Sequence, residues 1–250
     1  MLHFNEHGTA DGTGLVIAHG LFGSGRNWGV LSKRLAEGRR VRAVDMRNHG
    51  ASAWHSSNSY SDMAADLAEL MPVPSDLLGH SMGGKAAMVL ALQAPEKLRR
   101  LIVADIAPIA YTHTQAHLIA AMRAVDLGAV TSRRDAEAQL AETVPEAGVR
   151  AFLLQSLDLK GARPRWTLNL DVLEAEMDAI IGFPEVSGQF KGPVLFLSGG
   201  ASDYVQPHHH DRIKALFPNA EFQQIAGAGH WLHAEKPREF ETAVRDFLDR

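Results

Sequence analysis

Six residues, Gly79-His80-Ser81-Met82-Gly83-Gly84, separate the short apolar run Asp76-Leu77-Leu78 from the helical pattern Lys85–Gln93. A chain that changes from strand to helix over so short a span must turn sharply. Three of the six residues are glycines, which give the backbone room for that corner. Such a corner belongs in a sheet whose strands each feed a helix that packs back on them. The flanking sequence repeats the theme. Leu2–His7, Leu15–Ala18, Val41–Asp45 and Leu101–Ala104 read as strands, and Ser61–Leu70 reads as a helix because Met63, Leu67 and Leu70 recur at helical spacing. This alternation predicts an α/β fold, a mostly parallel sheet with helices on both faces. From Pro108 the pattern turns helical, with no convincing strand until Val194–Leu197; Glu221–Ile225 and an amphipathic helix over Pro237–Arg250 follow. The organisation expected is one core, residues 1–107 and 191–250, carrying a helical insertion over 108–190.

Composition narrows the function classes. Hydrophobic residues make up 46% of the 250 and charged residues 22%, a balance that supports a large core and excludes a disordered chain. The net charge of −4 lacks the basic excess of a nucleic-acid binder. No apolar run reaches the roughly 18 residues of a membrane span. Cysteine is absent, which removes disulfides, thiol nucleophiles, Cys-ligated zinc and iron–sulfur clusters together. The start, Met1–Glu6, has neither the basic residues nor the apolar stretch of a secretion signal, so a cytoplasmic location is expected.

Ser81 occupies the tip of the corner, where a nucleophilic hydroxyl would stand exposed above the sheet edge. The Met82 amide would begin the following helix, whose backbone dipoles favour a developing negative charge. His19-Gly20-Leu21-Phe22-Gly23 follows the strand Leu15–Ala18 and can bring a second amide to the same edge, Leu21 first and Phe22 as the fallback. The His19 side chain reads as a brace for that loop. Gly227-Ala228-Gly229-His230-Trp231 follows the strand Glu221–Ile225 and offers His230 as a general base, with His233 read as structural. Two acids end strands on the correct edge, Asp105 and Asp203, and position alone does not separate them. Gly79 through Gly84-Lys85 also matches most of a phosphate-binding loop, but Ala86 stands where that loop needs Ser or Thr for magnesium. His208-His209-His210 has no carboxylate partner at ligand spacing and reads as solvated, so no metal site is expected.

The loop HGLFGS, Asp45-Met46-Arg47-Asn48-His49-Gly50, GHSMGGK, Asp105-Ile106-Ala107-Pro108 and the late GAGHW with HAEKP together resemble the α/β-hydrolase superfamily, and more narrowly the YbfF-type bacterial esterases. The resemblance covers essentially the whole chain. It implies a serine hydrolase of carboxylic esters or thioesters that works through an acyl-enzyme, with a helical cap and no cofactor, acting on small molecules. Acyltransferases, C–C bond hydrolases and perhydrolases share the fold, and a non-catalytic binding protein on the same scaffold is the reading from a different class. Many superfamily members carry their acid in a G-x-x-D-x-x-V frame. Gly199 and Val205 set that frame here, and Ser202 stands in the acid's place with Asp203 displaced by one. That departure favours Asp105. A single short strand before Leu15 implies seven strands where eight are usual.

Overall fold

The structure, a computed structural model, describes residues 1–9 and 14–250. Seven strands build the main sheet: β1 (Phe4–His7), β2 (Leu15–Ala18), β3 (Val41–Val44), β4 (Ser75–His80), β5 (Leu98–Ala104), β8 (Val194–Gly199) and β9 (Ala220–Ile225), in the order β1-β3-β2-β4-β5-β8-β9. β1 runs antiparallel to β3 and every other pairing in the sheet is parallel. The interior strands β2, β4 and β8 are buried along their whole length, as parallel strands covered on both faces must be.

Alternation along the strands assigns the helices to faces. Leu15 and Ile17 point to one side, where α1 (Gly29–Leu35) and α11 (Pro237–Leu248) pack with Trp28, Leu35, Phe240 and Phe247. Val16 and Ala18 point to the other, against α2 (Tyr60–Leu70), α3 (Met82–Gln93) and α9 (His210–Leu216). α10 (Leu232–Glu235) is a single turn leading into α11. α3 is buried from Met82 to Leu92, which is why it shows no apolar stripe.

Between β5 and β8 the chain forms α4 (Ala116–Ala124), α5 (Arg133–Leu140), α6 (Ala147–Leu154), α7 (Leu170–Ala175) and α8 (Met177–Ile181). It also contains a two-stranded antiparallel ribbon, β6 (Leu157–Asp158) and β7 (Arg165–Trp166), where the sequence shows no strand; two-residue strands are too short to display a period of two. The apolar interior of this segment is continuous with the α2–α3 side of the sheet. Polar bonds stitch its underside to the loops after β2 and β3 and to the start of α2. Ser156 Oγ donates to the Phe22 carbonyl (3.0 Å), the Asn169 amide to the Asn48 carbonyl (2.9 Å) and Tyr60 Oη to the Ile180 carbonyl (2.5 Å).

Two boundaries differ from the sequence reading in a way that bears on the site. β4 extends through Gly79 and His80, and α3 starts at Met82, so the corner is one residue long. A Cβ at Gly79 would fall 2.3 Å from the Gly83 carbonyl oxygen, and one at Gly83 would fall 2.4 Å from the Ala18 carbonyl oxygen. Glycine at both positions lets strand and helix approach this closely.

Candidate active site

Ser81 sits alone between β4 and α3 with φ 52° and ψ −119°. Its amide donates to the Ala104 carbonyl (3.0 Å), which ties the corner to the end of β5. Among the described residues the four non-glycine residues with positive φ are Phe22, Asn48, Ser81 and Asp105, in the loops after β2, β3, β4 and β5. Each such conformation costs about 1–3 kcal/mol and persists only where surrounding contacts hold it. All four lie along the carboxyl edge of the sheet, where ligands of open α/β sheets bind.

His230 reaches this edge from the loop after β9. Ser81 Oγ donates to its Nε2 (3.0 Å), and its Nδ1 donates to Asp105 Oδ2 (2.8 Å). Asp105 has no exposed surface. Its Oδ1 accepts from the Gly199 amide (2.9 Å), and its Oδ2 also accepts from Ser202 Oγ (2.5 Å). Asp203 is exposed and makes no hydrogen bond or ion pair among the described residues. Ser202, standing in the familiar acid position, thus points its hydroxyl at the carboxylate supplied by the neighbouring strand. A hydroxyl bonded to an imidazole whose other nitrogen is held by a buried carboxylate can pass its proton to that imidazole.

The loop after β2 closes against the corner, so near that a Cβ at Gly20 would lie 3.1 Å from Ser81 Cβ. Among the described residues the amides of Leu21 and Met82 have no hydrogen-bond partner. The Phe22 amide is committed: it donates to His49 Nε2 (3.2 Å), so the fallback donor of the sequence reading is withdrawn. His49 Nδ1 donates to the Arg47 carbonyl (2.8 Å). His19 braces its loop, with Nε2 accepting from the Met46 amide (2.9 Å) and Nδ1 donating to the Gly20 carbonyl (2.7 Å). These bonds fix both imidazoles as neutral. Burial first, and neighbouring imidazole second, push His49 down to about 3.

Three contributors to the site carried no sequence signal strong enough to name. His80 Nε2 donates to the His230 carbonyl (2.9 Å), and burial holds its imidazole well below the ordinary value. The Tyr204 ring stacks on the His230 ring, with centroids 3.9 Å apart. Ser202 completes the shell of Asp105. The frame offset at 202 and 203 was the one available pointer to that last role. His233 stacks on Trp28 at 4.2 Å, and burial lowers it to about 3. The triple-histidine run is less solvated than its sequence suggests: the His209 ring accepts from the Gln206 amide (3.1 Å) and His210 stacks on Phe222. Among the described residues no group of three or more His, Asp or Glu gathers as metal ligands.

Two cavities meet at Ser81. The larger, about 340 Å³, is walled by the core residues His230, Trp231 and Phe22 and by Gln115, His117, Leu118, Glu146, Val149 and Phe152 of the 108–190 segment. The smaller, about 50 Å³, runs past Leu21 and Met82 towards Tyr60, Lys85 and Tyr111. Of the aromatic residues of this segment, Phe152 lines the larger cavity and Tyr111 the smaller. Leu153, Leu157, Trp166, Leu173 and Met177 are buried, and Leu170 and Phe183 pack against the same interior. The Trp166 indole is consumed there, with Nε1 donating to the Met122 carbonyl (2.9 Å).

Comparison with known proteins agrees with this architecture. A family model described as the alpha/beta hydrolase fold matches residues 14–237. An sn-1-specific diacylglycerol lipase of Mus musculus is 47% identical over 94% of this chain and 80% of its own length. Esterase YbfF of Escherichia coli (strain K12) is 38% identical over 98% of this chain and 95% of its own. A solved marine microorganism esterase superposes with a TM-score of 0.94 at 36% identity, covering 98% of both chains. The chain belongs to the α/β-hydrolase family and is an ester-hydrolysing enzyme of the carboxylesterase type.

Proposed function

We propose that the enzyme is a serine hydrolase that cleaves esters or thioesters through an acyl-enzyme, with Ser81 as nucleophile, His230 as general base and acid, and Asp105 as the group that orients and stabilises the imidazolium. The observation that carries this is the unbroken chain from Ser81 Oγ through His230 to a fully buried Asp105. Ser81 attacks the substrate carbonyl as His230 Nε2 takes its proton. The free amides of Leu21 and Met82 receive the oxyanion; losing one such donor raises the barrier by about 2.7–4 kcal/mol. His230 then protonates the leaving group, and water repeats the sequence on the acyl-enzyme. In this reading residues 108–190 are a cap over a core of 1–107 and 191–250, and no cofactor or metal takes part.

A fluorophosphonate should label the intact protein stoichiometrically at Ser81, located by peptide mass spectrometry. Ser81→Ala should abolish both the label and p-nitrophenyl ester hydrolysis, leaving turnover several orders of magnitude lower. More than a tenth of wild-type turnover in that variant would sink the serine mechanism. An acyltransferase on the same residues would release p-nitrophenol faster on adding an acceptor alcohol, with ester as product; acid as the sole product at high alcohol supports the hydrolase.

A further inference from the structure

The wall of the larger cavity has a carboxylate and no fixed cation. Glu146 is the one Asp or Glu among its lining residues, and none of them is Lys or Arg. Glu146 directly precedes α6 and is exposed, so its carboxylate stands where the cavity opens to solvent; among the described residues its side chain makes no hydrogen bond or ion pair. The nearest arginine along the chain is engaged elsewhere. Arg150 Nη1 donates to the carbonyls of Val144 (2.9 Å) and Pro145 (2.8 Å), and its Nη2 lies 3.7 Å from Glu137. The 108–190 segment holds 11 Asp and Glu against 7 Lys and Arg. A cleft lined by one sign of charge draws in ligands of the other. The rest of the wall suits a cation as well. The Phe152 and Trp231 rings stand 5.5 Å apart, tilted by 44°, and Tyr204 adds a third ring. Aromatic faces attract an ammonium through their quadrupoles.

The leaving group takes its proton from His230, which lines the larger cavity and not the smaller. The larger cavity is therefore assigned to the leaving group and the smaller to the acyl tail. We propose that the larger cavity is a leaving-group site for amino alcohols, whose cationic nitrogen lies against the rings of Phe152 and Trp231 in the field of Glu146 while Ser81 attacks the ester carbonyl carbon. The assignment rests on Ser81 being the nucleophile. In the reaction the bond from Ser81 Oγ to the acyl carbon forms, the acyl–oxygen bond of the ester breaks, and the amino alcohol leaves with the proton held by His230. Water then attacks the acyl carbon, its proton returns through His230 to Ser81, and the carboxylic acid is released. The cationic nitrogen keeps its charge throughout. Glu146 and the rings hold it alike before and during attack, so the expected signature is a lower KM with kcat little changed.

The test compares butyrylcholine with 3,3-dimethylbutyl butyrate, following proton release in a pH-stat at pH 7.5 and low ionic strength. The two esters share an acyl group and a leaving-group shape, and differ by a quaternary nitrogen in place of a carbon. Dividing by their hydroxide-catalysed rates in the same salt solution removes the intrinsic difference in reactivity. Wild type should then favour the choline ester by about tenfold in kcat/KM, carried by KM. Glu146→Gln should lower that ratio by about threefold or more, and Glu146→Lys should bring it to one or below. Phe152→Ala should lower it with the carboxylate still in place, which separates the rings from the charge. The ratio within each variant is the readout, so a general loss of activity cancels. A wild-type ratio of one or less overturns the proposal whatever the variants do, and so does an unchanged ratio in a folded Glu146→Gln. Ser81→Ala keeps the underlying reading distinguishable. If turnover of the neutral ester survives in it, the serine mechanism falls; if turnover depends on Ser81 but ignores the cation, only the leaving-group assignment does.

Discussion

The sheet edge and the 108–190 segment wall the same cavity on different terms. At the edge, the side chains and loops that position Ser81 and His230 are held by buried groups, and the Leu21 and Met82 amides are left free. Asp105 accepts from Gly199, Ser202 and His230; the His230 carbonyl accepts from His80; Phe22 is fixed through His49. The segment above gives no hydrogen bond to Ser81, His230 or Asp105 among the described residues. It contributes walls, Leu118, Val149 and Phe152 among them, while side chains such as Leu153, Trp166 and Leu173 are buried in its interior. Rigid loops that store backbone strain suit chemistry that needs reacting atoms placed to a fraction of an ångström. A wall has to exclude water and fit a shape, which many side chains can do. Substitutions at the edge should therefore change turnover, and substitutions above it should change stability or substrate choice.

The largest separation is expected between two aspartates that follow the adjacent strands β5 and β8. Asp105→Asn removes the acceptor that fixes the His230 tautomer and should lower kcat by about four orders of magnitude, the cost of the same change in a well-studied serine protease. Asp203→Asn alters an exposed side chain with no partner and should stay within about threefold of wild type, since surface changes of this kind rarely exceed ±0.5 kcal/mol. Steady-state kinetics at pH 7 on both variants decides the matter; a crippled Asp203→Asn would move the acid to the loop after β8.

Trp166→Ala should show the opposite profile. The side chain is buried and its indole bonds the Met122 carbonyl. Truncation should cost about 3–5 kcal/mol of stability. Its chain-length preference on p-nitrophenyl esters should match wild type. Urea denaturation reads the first and initial rates the second; a shifted preference would place Trp166 in the acyl path.

Acid should loosen the edge in steps. His49 and His233 are held at about 3, and His80 is pushed in the same direction, by burial first. Each stays neutral in the folded chain while its unfolded counterpart takes a proton below about 6.5. The unfolded state thus binds more protons, and stability falls as pH drops from about 6.5 towards 3, by up to about 1.4 kcal/mol per pH unit for each histidine. His233→Phe keeps the stack on Trp28 and loses no hydrogen bond, because Nδ1 is buried without a partner. Its urea midpoint should fall less steeply between pH 6.5 and 4.5 than that of wild type. An identical slope would show that His233 titrates normally.

The division between edge and walls also explains what the sequence made legible. A nucleophile corner needs glycine at 79 and 83 for steric reasons, so chemistry there leaves a mark in residue type and spacing. The strand–helix alternation and the seven strands follow from period and length in the same way. Asp105 was harder, since an aspartate ending a strand is common; the contact from Ser202 across ninety-seven positions that supports the proposed role exists only in three dimensions. Tyr204 and His80 act by stacking and by a bond to a carbonyl, roles that many residue types can fill. In the 108–190 segment Phe152 and Trp166 look alike in sequence. Whether an aromatic residue packs inside or faces a cavity depends on how the short helices and the two-residue ribbon strands are placed, and elements of two to nine residues do not record it in their period.

Phe152 is where the smallest and most specific effect is expected. It sits on α6, only half-buried, with its ring 5.5 Å from that of Trp231, the residue after His230. Both rings wall the larger cavity, which His230 also lines. Removing the Phe152 ring should enlarge that space without touching a hydrogen bond. With the leaving group protonated by His230, which lines the same cavity, Phe152→Ala is expected to leave acyl-chain preference at one leaving group unchanged. Preference among alcohols should shift towards bulkier ones, by an amount set by about 1–3 kcal/mol per methylene-sized change in an apolar pocket. A matrix of acetate, butyrate and hexanoate esters of ethanol, butanol and benzyl alcohol, followed by kcat/KM, separates the two axes. A change along the acyl axis alone would reverse the assignment of the two cavities, and with it the expectation that the loop carrying His230 and the segment above it choose the leaving group between them.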